Sequence, residues 1–460
     1  MKLNYLAKIS GCSMMALWAG AVGATDAFNL IGHGPVSEAM GGIGVAYDIG
    51  PGAMVTNPAT LLLMPEGSRF DVGMDIVTAD YDIQNRLTGE VADSHTMGRN
   101  NGPYYAPEIA YVWRQGRYAV GIGAFASDGV GTQFSADSFL SHTLVNNLDT
   151  GLRDYSRLLV LRIPLSVAYQ VTDKLSVGAS LDAVWTGVNL GLLLDTTQLG
   201  SFAEQGRLKG SLVPTLLSIP ELSGGYLDFN NNQIAGGKAE SWGLGGRVGL
   251  TYQVEPETLL GLSYNFKTHV GDLTGGANLT AVSALVGNIP LAGEVALRHF
   301  EMPAQITAGA SHRFTDQFSV AFDYQRVFWR SVLKDIDVAF VQGGTGGTLG
   351  LAFPLNYRDT NVFALGTEYR YDAHWTFRGG FHYAQEAAPG SGTLALIPST
   401  PTTNVTGGVA YAFGHGSSVD FAIAYGFRKT DYNSSLPDTA VPVVERHGQT
   451  VAAITYTGHF

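Results

Sequence analysis

Between Ser241 and Val254 the side chains sort onto two faces, with Trp242, Leu244, Val248, Leu250, Tyr252 and Val254 on one and Ser241, Gly243, Gly245, Arg247, Gly249, Thr251 and Gln253 on the other. A repeat of two residues is that of an extended strand, so the segment offers one apolar and one polar face. The division returns in Leu161, Ile163, Leu165, Val167 and Tyr169 opposite Arg162, Ser166 and Gln170, and in Phe300, Met302, Ile306 and Ala308 opposite Glu301, Gln305 and Thr307. It returns again in Trp375, Phe377, Phe381 and Tyr383 opposite Thr376, Arg378 and His382, and in Val419, Phe421, Ile423 and Tyr425 opposite Asp420. A soluble sandwich must cover its apolar faces with a second sheet, whereas a membrane barrel turns them to lipid and its polar faces to a lumen.

Loop lengths favour the barrel. Tight links such as Val171-Thr172-Asp173-Lys174, Glu255-Pro256-Glu257, Thr315-Asp316-Gln317 and Tyr371-Asp372-Ala373-His374 alternate with long connections near 129–154, 189–238, 268–298, 330–360, 386–402 and 433–446. Short turns on one side and long loops on the other are the outer-membrane arrangement. Tyr169, Tyr252, Phe314, Tyr371, Trp375 and Phe413 lie beside the short links, where an interfacial girdle belongs. The pattern predicts about 14 antiparallel strands, starting near 69, 105, 118, 157, 174, 240, 258, 299, 317, 361, 374, 403, 418 and 447 and ending at Phe460.

Composition agrees. Only 14% of the 460 residues are charged and 59 are glycine, a balance suited to crowded sheets rather than helices. A net charge of −12 without any basic block argues against nucleic acid. Cys12 is the one cysteine, which leaves neither a disulfide framework nor a cysteine zinc site. Lys2 and Lys8, the apolar stretch from Ile9 to Ala21, and Val22-Gly23-Ala24 read as a secretory signal over residues 1–24. After Ala24 no apolar run reaches the roughly 18 residues of a helical membrane span.

Phe28 to Pro65 has no strand period. Its glycines and Pro35, Pro51 and Pro58 prevent a long helix, yet Phe28, Leu30, Ile31, Met40, Ile43, Val45 and Met54 need burial. A plug within the lumen meets both demands.

Ala27-Phe28-Asn29-Leu30, the run Ala39-Met40-Gly41-Gly42-Ile43-Gly44-Val45-Ala46, and Thr56-Asn57-Pro58-Ala59-Thr60-Leu61 resemble the N-terminal hatch of the FadL/TodX outer-membrane transporters. The resemblance extends over the mature chain and implies three segments: signal 1–24, hatch 25–67 and barrel 68–460. It also implies passive diffusion of hydrophobic molecules, long-chain fatty acids or aromatic hydrocarbons, across the outer membrane of a Gram-negative bacterium. An extracellular apolar groove would capture the ligand, and lateral release through a gap at a kinked third strand would be gated by the hatch.

Physical reading assigns residues to these parts. Leu212, Val213, Leu216, Leu217, Ile219 and Leu222 form more apolar surface than a solvated loop should expose, and are expected to make the capture groove, in part by packing on loop 268–298. Gly121, Gly123 and Gly129 permit a kink in the third strand, although lumen-facing small residues would explain them equally. Phe28 and the Asn57-Pro58-Ala59 bend are expected to seat the hatch, as a gate or as a plain turn before the first strand. Arg157, Arg162, Arg247, Arg298, Arg313 and Arg378 are the cations available to a carboxylate ligand.

No nucleophile motif or metal-ligand spacing stands out, so neither an enzyme, a cofactor nor a metal is expected. The expected partners are the hydrophobic ligand and outer-membrane lipid and lipopolysaccharide, with the chain acting as a monomer. The alternative is a general porin for polar solutes, which needs an open, charged constriction instead of a plug. If the signal reading is correct, the intact mass of the outer-membrane protein corresponds to a chain starting at Thr25; a chain retaining Lys2 and Lys8 contradicts it.

Overall fold

The computed structural model describes residues 27–95, 103–232, 236–388, 390, 393–398, 401–414, 416–433 and 437–460. The expected signal, and the cleavage point before Thr25, lie outside the described residues. Among the described residues a ring of strands carries the fold: β1 (Gly67–Asn85), β2 (Tyr104–Gln115), β3 (Tyr118–Gln133), β4 (Tyr155–Gln170), β5 (Leu175–Asp195), β6 (Ala239–Glu255) and β7 (Thr258–Asn265). It continues through β8 (Gln305–Arg313), β9 (Phe318–Val327), β10 (Thr360–Arg370), β11 (Trp375–Ala384), β12 (Thr403–Gly414), β13 (Ser417–Asn433) and β14 (Val443–His459). Each pairs antiparallel with the next. β14 pairs back onto β1 from Arg69↔His459 to Asn85↔Val443, so the sheet closes on itself.

The outward face is the apolar one. Leu165, Val167, Leu181, Trp242, Leu244, Phe381, Phe421, Ile423 and Ile454 are exposed, as a lipid-facing belt requires. Beside the short turns Tyr118 stacks near Tyr169 with centroids 4.9 Å apart, and Trp375 meets the edge of Tyr411 at 4.7 Å.

Two strands start well away from the expected residue. The segment expected to start near 299 becomes strand only at Gln305, and Phe300 and Met302 are buried instead of lipid-facing. Pro303 lacks the N–H that a ladder needs, so regular pairing begins after it. The final strand starts at Val443, ahead of the expected 447.

The long loops are folded too. The outer end of β5 (Leu190–Asp195) pairs with Leu222–Phe229, which pairs with Leu273–Ser283 and onward to Gly287–Arg298, Asp335–Gln342, Thr348–Pro354 and finally Leu208–Lys209. This small sheet therefore curls from one part of loop 189–238 back to another. Asp195 starts a helix over Thr196–Glu204 because its carboxylate accepts Thr197 N–H at 2.7 Å while Gln198 Oε1 accepts Asp195 N–H at 2.8 Å, a capping box.

Residues 27–64 touch strands all round the ring, which places them within it. Ser311 on β8 donates to the Ala46 carbonyl at 2.6 Å, and the Asp323 carboxylate on β9 accepts Gly44 N–H at 2.7 Å and Val45 N–H at 2.9 Å. Thr406 on β12 donates to Ala39 at 2.9 Å, Arg114 on β2 to the Met64 carbonyl and Arg247 on β6 to the Met54 carbonyl. A short helix over Pro35–Ala39 and 3-10 turns over Gly50–Val55 and Pro58–Leu63 are its only regular parts.

Three cross-strand glycine pairs make room for this segment. Gly178↔Gly249, Gly261↔Gly309 and Gly366↔Gly380 are register partners. A methyl group at these positions would meet Ala59 and Asn57, Val45, and Met40 and Gly41 respectively. At Gly261 the obstruction is the Val45 carbonyl, backbone against backbone, which cannot rotate away. Gly261→Ala should therefore cost about 1–3 kcal/mol, read as a lower unfolding temperature in heat-modifiable gel mobility. Gly200→Ala, with open space around it inside the helix Thr196–Glu204, should leave stability unchanged or raise it slightly. Equal stability of both variants contradicts the packing account.

Candidate functional site

The wall is not paired throughout. β2 and β3 hydrogen-bond from Gln115↔Tyr118 as far as Glu108↔Phe125 and then part. Ala126–Gln133 continue against β4 alone, while Tyr104–Pro107 continue against β1. The β3–β4 register also slips between Ala126↔Leu161 and Asp128↔Val160, leaving Ser127 as an extra residue. A bulge bends a strand away from its neighbour. The backbone of the N-terminal segment occupies the freed edge: Asn29 bridges Asp128, and Gly129 N–H donates to the Phe28 carbonyl at 3.0 Å.

Of the glycines expected to carry a kink, only Gly129 stands in this gap. Gly121 is paired on both sides, to Val112 and Ser166, and Gly123 lies where pairing to β4 lapses between Ile122 and Phe125. The offset sits at Ser127 because a bulge is an extra residue in the ladder rather than a missing side chain. Ser127-Asp128, a polar pair after Ala124-Phe125-Ala126, was its sequence signal.

Phe28 is buried among aromatic rings. Trp329 meets its edge at 5.6 Å, and Phe300 and Tyr357 lie at 6.5 and 6.3 Å. One residue thus ties the core below the outer loops to the backbone that covers the gap.

Behind the gap lies a mostly apolar chamber of about 130 Å³, bordered by Tyr104 and Ala106 from β2, Val130 from β3, Leu158 from β4, and Glu38 and Leu30 from the N-terminal segment. Burial first, then the neighbouring carboxyls Asp75 and Glu108, push the Glu38 carboxyl well above its ordinary 4.5, so it keeps its proton where an exposed glutamate is charged. Asn29, Ile31 and His382 separate this chamber from a polar cavity of about 90 Å³ bordered by His33, Arg162, Arg247 and Gln325. There Arg247 pairs with Asp182 at 3.0 Å, and Arg162 reaches Asp182 at 3.6 Å and Asp128 at 3.8 Å. Burial and then the charges of Arg247 and Arg162 lower His33 to about 3, so the imidazole is neutral.

On the outer side an apolar groove of about 60 Å³ is lined by Val213, Leu216, Leu217 and Leu222 among the residues singled out from sequence. Leu212 is buried, and Ile219 does not border the groove. Leu279 from loop 268–298 closes one wall, and Val338, Phe340, Leu351 and Phe353 close the other. Those last four escaped sequence reasoning, although their alternation within loop 330–360 was visible as a hairpin.

Asn57-Pro58-Ala59 lies away from the gap, against the paired wall at Gly178 and Gly249. Asn57 Nδ2 donates to Val45 at 2.6 Å and to Leu250 at 3.2 Å, while its Oδ1 accepts Ala59 N–H at 3.1 Å. The side chain therefore caps the turn that follows and fastens two parts of the segment to β6. Among the described residues no His, Cys, Asp and Glu cluster has the form of a metal site.

The comparisons with known proteins agree with this architecture. The model of the family described as outer membrane protein transport protein (OMPP1/FadL/TodX) matches residues 16–454. The long-chain fatty acid transport protein of Escherichia coli O6:H1 is 25% identical over 409 residues, covering 84% of each chain. Among solved structures, the Ralstonia pickettii toluene transporter TbuX is 55% identical with a TM-score of 0.80, and the P. putida toluene transporter TodX is 39% identical with a TM-score of 0.84. Each comparison covers 94% of this chain and 99% of the other. With its closed antiparallel barrel, apolar outer belt and family match over nearly its whole length, the chain belongs to the OMPP1/FadL/TodX family of outer-membrane transport proteins.

Proposed function

We propose that this protein is a passive channel for small neutral aromatic hydrocarbons that leave the barrel sideways, between β2 and β3. The observation that carries the reading is the stretch of wall at Ala126–Gln133 that pairs with β4 but not with β2, where the Phe28–Asn29 backbone lies against Asp128 and Gly129. The outer groove captures the ligand, the aromatic cluster around Phe28 senses its arrival, and the segment acts as a hatch whose first residues move to open the wall. Asn57-Pro58-Ala59 anchors the hatch on β5 and β6 while its beginning moves.

Arenes fit better than fatty acids on three counts. A chamber of about 130 Å³ is near the roughly 150 Å³ of an apolar cavity that accepts benzene. Two of the arginines that sequence offered to a carboxylate are neutralised within the protein: Arg247 by Asp182, and Arg378 by Glu368 at 2.9 Å and Asp420 at 2.7 Å. Arg157, which borders the chamber, lies over the Tyr104 ring at 5.8 Å. The toluene transporters also share more of this sequence than the fatty acid transporter does.

Two experiments test the reading. Asn29 and Asp128 are bridge partners, and opposed residues of antiparallel strands, roughly 4.5–5.5 Å apart at Cα, suit a disulfide. Because Cys12 lies in the expected signal, Asn29→Cys with Asp128→Cys introduces the mature chain's only pair. Oxidation should block toluene uptake and reduction restore it, with both single variants unaffected by oxidant; uptake through the oxidised protein contradicts lateral exit. The second concerns Glu38. Its raised pKa means that the folded protein holds a proton which a free glutamate has lost, so stability and arene affinity should fall as pH rises through that raised value. In Glu38→Gln toluene binding, measured by calorimetry across pH 5–10, should be flat; an equal decline in both proteins removes Glu38 from the chamber's chemistry.

A further inference from the structure

Among the polar groups that border the chamber is one histidine that hydrocarbon transport does not use. His382 on β11 is 3% exposed and borders both the apolar chamber and the polar cavity. Its Nδ1 lies 3.0 Å from the Gly41 carbonyl oxygen. A carbonyl only accepts, so the proton of this contact belongs to Nδ1. A neutral imidazole has a single N–H, which leaves Nε2 a lone-pair acceptor. That Nε2 is fully buried and has no hydrogen-bond partner among the described residues. Buried polar atoms are normally partnered, and one left open beside a cavity is explained by a group that enters the cavity.

We propose that His382 Nε2 accepts a hydrogen bond from the hydroxyl of an aromatic ligand, so that the channel takes phenols as well as hydrocarbons. The inference rests on the chamber reading above and adds the chemical class. The aromatic ring of such a ligand lies among Val130, Leu158 and Ala106, and its hydroxyl points to the boundary with the polar cavity. A carboxylate brings no proton for Nε2. A hydroxyl satisfies the open acceptor without adding charge. A site built around such an acceptor discriminates for the donor, because the analogue without it leaves a buried polar atom unpaired.

The test compares p-cresol with p-xylene, which differ by a hydroxyl in place of a methyl group, on the full-length barrel in detergent micelles. His382→Phe should weaken p-cresol relative to p-xylene by about tenfold compared with the natural protein. Using the ratio of the two affinities cancels the different solubilities of the ligands. In ¹⁵N-histidine spectra of the unaltered protein, the Nε2 resonance, assigned by its loss in His382→Gln, should move with p-cresol and stay in place with p-xylene. This measurement holds even where His382→Phe fails to assemble. An unchanged affinity ratio, or an Nε2 resonance indifferent to p-cresol while p-xylene binds, overturns the role of His382 alone. Binding of neither compound overturns the chamber reading along with it.

Discussion

Three pairs of facing glycines let the barrel wall come within backbone distance of the segment it encloses, and much of the architecture follows from that approach. Where Gly178 faces Gly249, Gly261 faces Gly309 and Gly366 faces Gly380, the lumen side of the sheet has no side chains. Peptide groups of residues 39–59 take that space and hydrogen-bond to Ser311, Asp323 and Thr406 around it. A wide barrel is thereby filled by main chain, and the many glycines acquire a positional meaning beyond weak strand propensity.

An interior filled in this way has little room for a straight aqueous path, and the weakest boundary moves to the wall. Between β2 and β3 the ladder ends at Glu108↔Phe125, and two residues of the enclosed segment replace the missing strand contacts. Covering a sheet edge with non-strand backbone leaves fewer hydrogen bonds there than a paired strand would. The ion pairs of Asp182 with Arg247 and Arg162 border the polar half of the lumen. Removing one partner from such a buried group leaves an uncompensated charge, which makes it a poor place for movement.

The barrel was legible because lipid enforces a two-residue period on every strand, and Trp242, Leu244 and Phe381 obeyed it without exception. The outer groove was half legible: Val213, Leu216 and Leu217 declared themselves by apolar excess, whereas Val338 and Phe340 only become groove residues once the hairpin folds over them. The gap was legible as a neighbourhood and misread in detail. Glycines can permit a kink, but the bulge at Ser127 and the parting of β2 from β3 depend on hydrogen-bond register, which local sequence does not encode. His382 stood on the polar face of its strand, yet its open Nε2 follows only from Gly41 arriving at Nδ1, a contact between residues 341 positions apart.

The central claim is that an aromatic ligand rests behind the β2–β3 gap rather than on the barrel axis. A crystal of the protein soaked with 4-bromotoluene, with anomalous diffraction collected at the bromine edge, tests it directly. The account predicts a bromine peak among Tyr104, Val130 and Leu158, beside Phe28 and Asn29. Bromine along the axis beyond the N-terminal segment, toward the short turns, with none in that chamber, would contradict it.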